Sequence, residues 1–107
     1  MNTLIAEFIG RKVDAVHYSI KLPILIQPFV YAEELRFDVD WNWLMPVVRK
    51  CVEVALEDDE LFLSDEYTSL LDTVPLAIME DTYKVVVEFI NKYNMECVNI
   101  ITKTHKL

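Results

Sequence analysis

The stretch DVDWNWLMPVV, residues 38–48, decides how this chain is read, because two tryptophans, a methionine and a proline fall within six residues just behind two acids. From Trp41 onward the apolar residues fall into a helical rhythm. Trp41, Leu44, Val48, Cys51 and Ala55 make one stripe, and Met45 and Val52 widen it, which predicts an amphipathic helix over 41–56. Asp40 stands where a side-chain oxygen would cap that helix. Pro46 lies too deep for a comfortable first turn, since it removes the bond to the Asn42 carbonyl. Either a tight turn at 41–45 precedes the regular helix, or the helix is kinked there.

The two indoles cannot share a face. Two positions apart on a helix, they diverge by about 200°. The stripe assigns Trp41 to the core and leaves Trp43 to another surface or an interface. Asp38-x-Asp40-x-Asn42 also matches the opening of a calcium loop. The match then fails, because the sixth position needs glycine and holds Trp43, and the twelfth needs glutamate and holds Arg49.

Outward from this helix, the chain alternates between short elements. Leu4, Ile5, Phe8 and Ile9 predict an opening helix over 2–9, with the chain's one glycine, Gly10, at its C-cap. From Ala15 the period becomes two. Val16, Tyr18, Ile20 and Leu22 face one way and His17, Ser19 and Lys21 the other, as in a half-buried strand. Ile24-Leu25-Ile26, bounded by Pro23 and Pro28, reads as a second strand, short or at an edge. Leu35, Phe37 and Val39 read as a third, or as an extended approach to the helix.

Glu57 to Glu60, EDDE, ends the 41–56 helix, since acids are unfavourable at a helix C-terminus. Leu61-Phe62-Leu63 is a strand-length apolar patch. Ser64 is positioned to cap a short helix through Leu71, and Thr73-Val74-Pro75 to open the next. Residues 76–94 give the strongest helix, with Met79, Tyr83, Val86, Ile90 and Tyr93 on its main stripe and Val85, Val87 and Phe89 on a second. Cys97 to Ile101 is rich in β-branched residues and is expected to close the sheet as a strand. The polar tail TKTHKL is expected to fray.

The expected fold is therefore α+β, one domain over 1–107. A small antiparallel sheet from 14–40, joined by 61–63 or by 97–102, packs with helices 41–56 and 76–94 in an α-β-α sandwich-like arrangement. Of the 107 residues, 53% are hydrophobic and 26% charged, a globular composition with an apolar surplus that points to helices buried on both sides or to an oligomer interface. Eighteen acids against ten Lys and Arg give a net charge of -8. That balance repels phosphate backbones, so a nucleic-acid polymer is not an expected partner; it leaves room for a basic protein partner or for DNA mimicry, though acids are common surface residues for solubility alone.

Cys51 and Cys97, far apart in apolar stretches, read as buried reduced thiols. MNTLIAEFIG carries an acid and no basic leader, so no signal peptide is read there. No apolar run reaches the length of a membrane span, and a cytoplasmic location follows. His17 and His105 lack partners at ligand spacing, a single glycine leaves no phosphate-cradling loop, and no cysteine, histidine or carboxylate pattern names a nucleophile. The chain is expected to be no enzyme and to need no metal or cofactor. The binding candidates are Trp41 and Trp43, the tyrosines Tyr18, Tyr31 and Tyr67, and the cations Arg36 and Arg49.

Two blocks, WNWLMPVV at 41–48 and VVEFINKYN at 86–94, resemble a family of small phage and prophage proteins of unassigned function. More distantly, TVPLAIMEDTYKVVVEF is similar to the last helix of the phage ABA sandwich domain. The resemblance covers about a third of the chain. Arg49 replaces an acid usual after Val-Val, and NKYN lacks a tryptophan usual near the end of the last helix. The likeness implies a small α-β-α sandwich and carries over no catalytic residue. It points to a phage accessory protein in the host cell, acting by binding as a homo-oligomer. Its alternatives are a counter-defence protein sequestering a nucleotide signal and an acidic inhibitor of a host protein.

Overall fold

The computed structural model describes residues 1–22, 24, 25, 27 and 29–105, with side chains described through Glu96. Helix α1 (Asn2–Ile9) leads into strand β1 (Arg11–Lys12), then β2 (His17–Ser19) and β3 (Phe29–Tyr31), followed by a 3-10 turn at Ala32–Glu34. Helices α2 (Trp41–Glu57), α3 (Asp59–Phe62) and α4 (Asp65–Thr73) come next. A second 3-10 turn at Val74–Leu76 precedes the long helix α5 (Met79–His105). The architecture is α+β, as expected, with helices dominant and the strands in one antiparallel sheet of order β1-β2-β3.

The register pairs Arg11 with Ser19 and His17 with Tyr31, so Tyr18 and Val30 are neighbours on the inner face. Both are buried, whereas Phe29 and Tyr31 stand exposed on the outer face. Period two holds for Tyr18, Ile20 and Leu22, all buried, but Val16 is exposed and does not join them. The reason is local: the Asp14 carboxylate accepts hydrogen bonds from the Val16 and His17 backbone N–H groups at 2.9 Å, turning the chain just before β2. The second strand lies at 29–31 rather than 24–26. Ile24 sits in a turn, while Pro23, Ile26 and Pro28 lie outside the described residues.

Residues 35–39 form no strand. Leu35 and Phe37, two residues apart, are both buried, and Val39 and Asp40 N–H both donate to the Arg36 carbonyl. Asn2 fastens this segment. Its amide donates to the Leu35 carbonyl (3.2 Å) and to Asp38 (3.0 Å), and its own oxygen accepts from the Tyr83 hydroxyl (3.0 Å), tying α1, the 35–38 turn and α5 together.

Gly10 is needed at the end of α1, but not for a left-handed cap. Its φ of -147° is ordinary extended backbone. The need is space: a Cβ there would lie 2.0 Å from the Ser19 carbonyl oxygen, so only glycine lets α1 pass this close to β2.

Asp40 caps α2 as expected, its carboxylate accepting from Asn42 N–H at 2.9 Å. Trp43 and Leu44 N–H both donate to the Asp40 carbonyl, tightening the first turn, and the helix then runs through Pro46 to Glu57. Asp58 serves two helices. Its N–H closes α2 on the Ala55 carbonyl, and its carboxylate caps α3 by accepting from Glu60 N–H at 3.0 Å. That cap is why Leu61-Phe62-Leu63 is not a strand: the acids expected only to end one helix also start another. Ser64 then caps α4, its hydroxyl accepting from Tyr67 N–H at 3.2 Å and donating to the Leu61 carbonyl at 2.6 Å.

Helix α5 begins at Met79, after Ala77 turns the chain through a left-handed φ of 56°. It does not stop at Asn94. The backbone stays helical through 97–101, the expected last strand, and on to His105; Lys106 and Leu107 lie outside the described residues. No glycine or proline interrupts residues 79–105. Lys92 pairs with Glu96 one turn on at 3.1 Å, so local β-preference is outweighed by continuation of a helix already nucleated.

The Cα positions span 44 × 35 × 19 Å, a plate about two element layers thick. The core between the layers joins Phe8 and Ile5 of α1, Phe37, the inner face of α2, and Val86, Phe89 and Ile90 of α5. No described helix is long and apolar enough to cross a membrane.

A candidate binding groove along helix α2

The two tryptophans occupy the reverse of their expected places. Trp43 is buried, with 5% of its surface exposed, and meets the fully buried Phe37 edge to face at 5.2 Å between ring centroids. Trp41 is half-buried, packed against the margin of the core and lining a surface groove. The inner stripe of α2 is Trp43, Leu44, Val47, Val48, Cys51 and Ala55. Trp41 and Met45 are rotated out of it because the 35–39 turn brings Phe37 beneath Trp43.

That rotation creates a surface feature. An open groove of about 730 Å³ runs beside α2, lined by Ile24, Trp41, Asn42, Met45, Pro46, Val48, Arg49, Lys50, Val52 and Glu53. A smaller depression of about 360 Å³, formed by Trp41, Met45, Val74 and Ala77, shares its Trp-Met wall. A third, of about 620 Å³, begins at Ile24 and continues past Phe29, Glu33, Glu34 and Arg36 to the edge of Trp43. The first meets the third at Ile24 and the second at Trp41 and Met45, and together they make a trough beside α2. Its apolar wall is Ile24, Trp41, Met45, Pro46 and Val52.

The charges in the trough are unequal in their commitments. Lys50 bends away, its Nζ donating to the Phe8 carbonyl at 2.6 Å and lying 5.0 Å from the Phe8 ring centre. It caps the end of α1 and binds α1 to α2. Arg49 and Glu53, one turn apart and exposed, form no ion pair with a described residue.

Of the sequence candidates, Trp41, Arg49, Arg36 and the edge of Trp43 therefore border the trough. The tyrosines do not assemble there. Tyr18 is buried under the sheet, and Tyr67 is buried against Phe62 and Phe89 at 5.6 and 6.2 Å. Tyr31 is exposed and stacks on His17 at 4.3 Å. Ile24, Met45, Pro46, Val52 and Glu53 escaped attention. The signal was present, because an exposed row at 42, 45, 49, 52 and 56 alternates steps of three and four.

His17 and Asp14 make the only side-chain pair with catalytic flavour among the described residues, Nδ1 lying 2.9 Å from both carboxylate oxygens. Hydrogen bonds from the Val16 backbone and then the His17 side chain hold the Asp14 carboxyl below its ordinary range. Those bonds form a turn, with no nucleophile adjoining. Cys51 is buried and free, and burial pushes its thiol up to about 12, which makes it inert at neutral pH; the Cys97 side chain lies outside the described residues. No group of three metal-ligating side chains occurs among the described residues. Asp38 and Asp40, the calcium candidates, are engaged with Asn2 and Asn42.

Compared with protein-family models, curated proteins and solved structures, the chain matches none of them.

Proposed function

We propose that the chain is a small non-enzymatic phage accessory protein that acts in the host cytoplasm by binding, as a homo-oligomer. The supporting observation is the trough: an apolar surface around Trp41 and Met45, bordered by Arg49, Lys50 and Glu53, on a thin plate. Val74 and Ala77 complete its wall beside Trp41 and Met45. Apolar patches of that extent on a monomer mark interaction sites, and the phage context rests on the sequence resemblance.

Sedimentation velocity and light scattering over a wide concentration range test the oligomer. Masses at multiples of 12.6 kDa are expected. A monomer at every concentration overturns the reading.

A second reading, an acidic protein that binds a basic host partner, is favoured by the charge layout. Between Cys51 and Tyr83 stand ten acids and no Lys, Arg or His, so the rest of the chain is slightly positive. Leu56, Phe62 and Leu63 are exposed among those acids. The nucleotide-sequestering alternative is the less favoured, since Tyr18, Trp43 and Tyr67 are core residues and offer no open ring face for stacking.

A further inference from the structure

We infer that the outer face of α2 is a two-fold interface on which a second copy of this chain packs its own α2 antiparallel. This rests on the homo-oligomer reading above and names the face and symmetry that reading leaves open. Asn42, Met45, Arg49, Val52 and Leu56 follow one another by three, four, three and four residues, the spacing of a helix-pairing seam. All five are exposed or half-buried, with Met45 at 42% and Leu56 at 66%. A helix carrying this seam on its solvent side has one face for the core and a second open to solvent.

The charges on that face select the partner. Arg49 and Glu53 flank the middle of the helix and form no ion pair with a described residue. A two-fold axis at the level of residues 50–51 sets each Arg49 beside the partner's Glu53 and each Glu53 beside the partner's Arg49. The same operation lays Met45 and Pro46 on the partner's Leu56. One cation, one acid and an apolar residue at each end make the stripe complementary to itself only when the helices run antiparallel, which also opposes their dipoles favourably. A parallel pair would place Arg49 against Arg49.

Lys50 cannot take the role of Arg49, being held by the Phe8 carbonyl. A stable pair needs about 800 Å² from each partner, more than one helical stripe offers. Ile24 on the groove wall, and Val74 and Ala77 beside Trp41 and Met45, add apolar surface next to the seam.

Charge reversal tests this. Arg49→Glu and Glu53→Arg, both at exposed positions, are each expected to weaken self-association about tenfold or more, because each introduces two like-charge contacts across the axis. The double variant Arg49→Glu/Glu53→Arg is expected to recover to within about threefold of wild type, and circular dichroism checks that every variant is folded. If wild type self-associates and the single reversals leave its dissociation constant unchanged, or the double variant fails to recover, the antiparallel α2 interface is overturned while the oligomer reading stands. If wild type is a monomer throughout, the oligomer reading fails first.

Discussion

On the inner side of α2, Trp43, Leu44, Val47, Val48, Cys51 and Ala55 are buried against the 35–39 turn, α1 and α5. Half a helical turn away, Asn42, Met45, Arg49, Glu53 and Leu56 meet solvent. Both faces contain a tryptophan neighbourhood, apolar side chains and a good helical period. The difference lies in what stands opposite. Phe37 and the α5 residues Val86 and Ile90 give the inner face neighbours that the local sequence around α2 does not announce, whereas the outer face is open to solvent at Asn42, Arg49, Glu53 and Leu56.

Substituting the two tryptophans gives the sharpest contrast. Trp43→Ala is expected to cost about 3–5 kcal/mol, the range for emptying a large aromatic from a core. Trp41→Ala is expected to cost about 1 kcal/mol or less, since little of its surroundings collapses. Urea denaturation followed by circular dichroism measures both, and equal losses would erase the distinction between the faces.

Alkaline pH addresses the inner face alone. The Cys51 thiol titrates near 12 in the folded chain, against 9.0 ordinarily. The unfolded chain therefore loses its proton first. The contribution of this thiol to stability is complete below pH 9.0 and is lost as pH rises toward 12, at a limiting slope of about 1.4 kcal/mol per pH unit. The stability gap between wild type and Cys51→Ala should narrow over that window in denaturant titrations. A constant gap would mean that water reaches the thiol.

A smaller effect is expected at Thr82 on α5, whose hydroxyl is fully buried and has no described hydrogen-bond partner. Thr82→Val keeps the shape and removes the unsatisfied oxygen, so a gain of about 1 kcal/mol is expected. A loss in the same denaturation assay would place a hydrogen-bonded water beside it.

The same comparison shows where sequence reasoning worked. The bounds of α1 and α2, the Asp40 and Ser64 caps and the burial of Tyr18, Ile20 and Leu22 are set by neighbours within about four residues, and the spacing of residues displays them. The phase of α2 was not legible in that way. Leu44, Val48, Cys51 and Ala55 fit the core with either tryptophan beside them, and the choice fell to Phe37, placed by a turn that Asn2 and Tyr83 hold from distant parts of the chain.

Residues 61–63 and 97–101 misled for the complementary reason. Their β-branched and apolar composition suggested strands, but Asp58 caps one segment into a helix and the other continues α5 without a breaker. Of the candidate site, Trp41, Arg36 and Arg49 were found. The groove between them was not, because it exists only once the phase of α2 is known.

The thinness of the plate carries a consequence for motion. In a body 19 Å deep, few backbone amides lie beneath more than one layer of side chains. Those near the crossing of α2 and α5, around Val47, Cys51, Val86 and Ile90, exchange their hydrogens only when the whole domain opens, while the strands and short helices exchange through local openings. A second copy seated on α2 would extend that slow-exchanging zone outward, turning the most solvent-facing helix surface of the monomer into the middle of a thicker body.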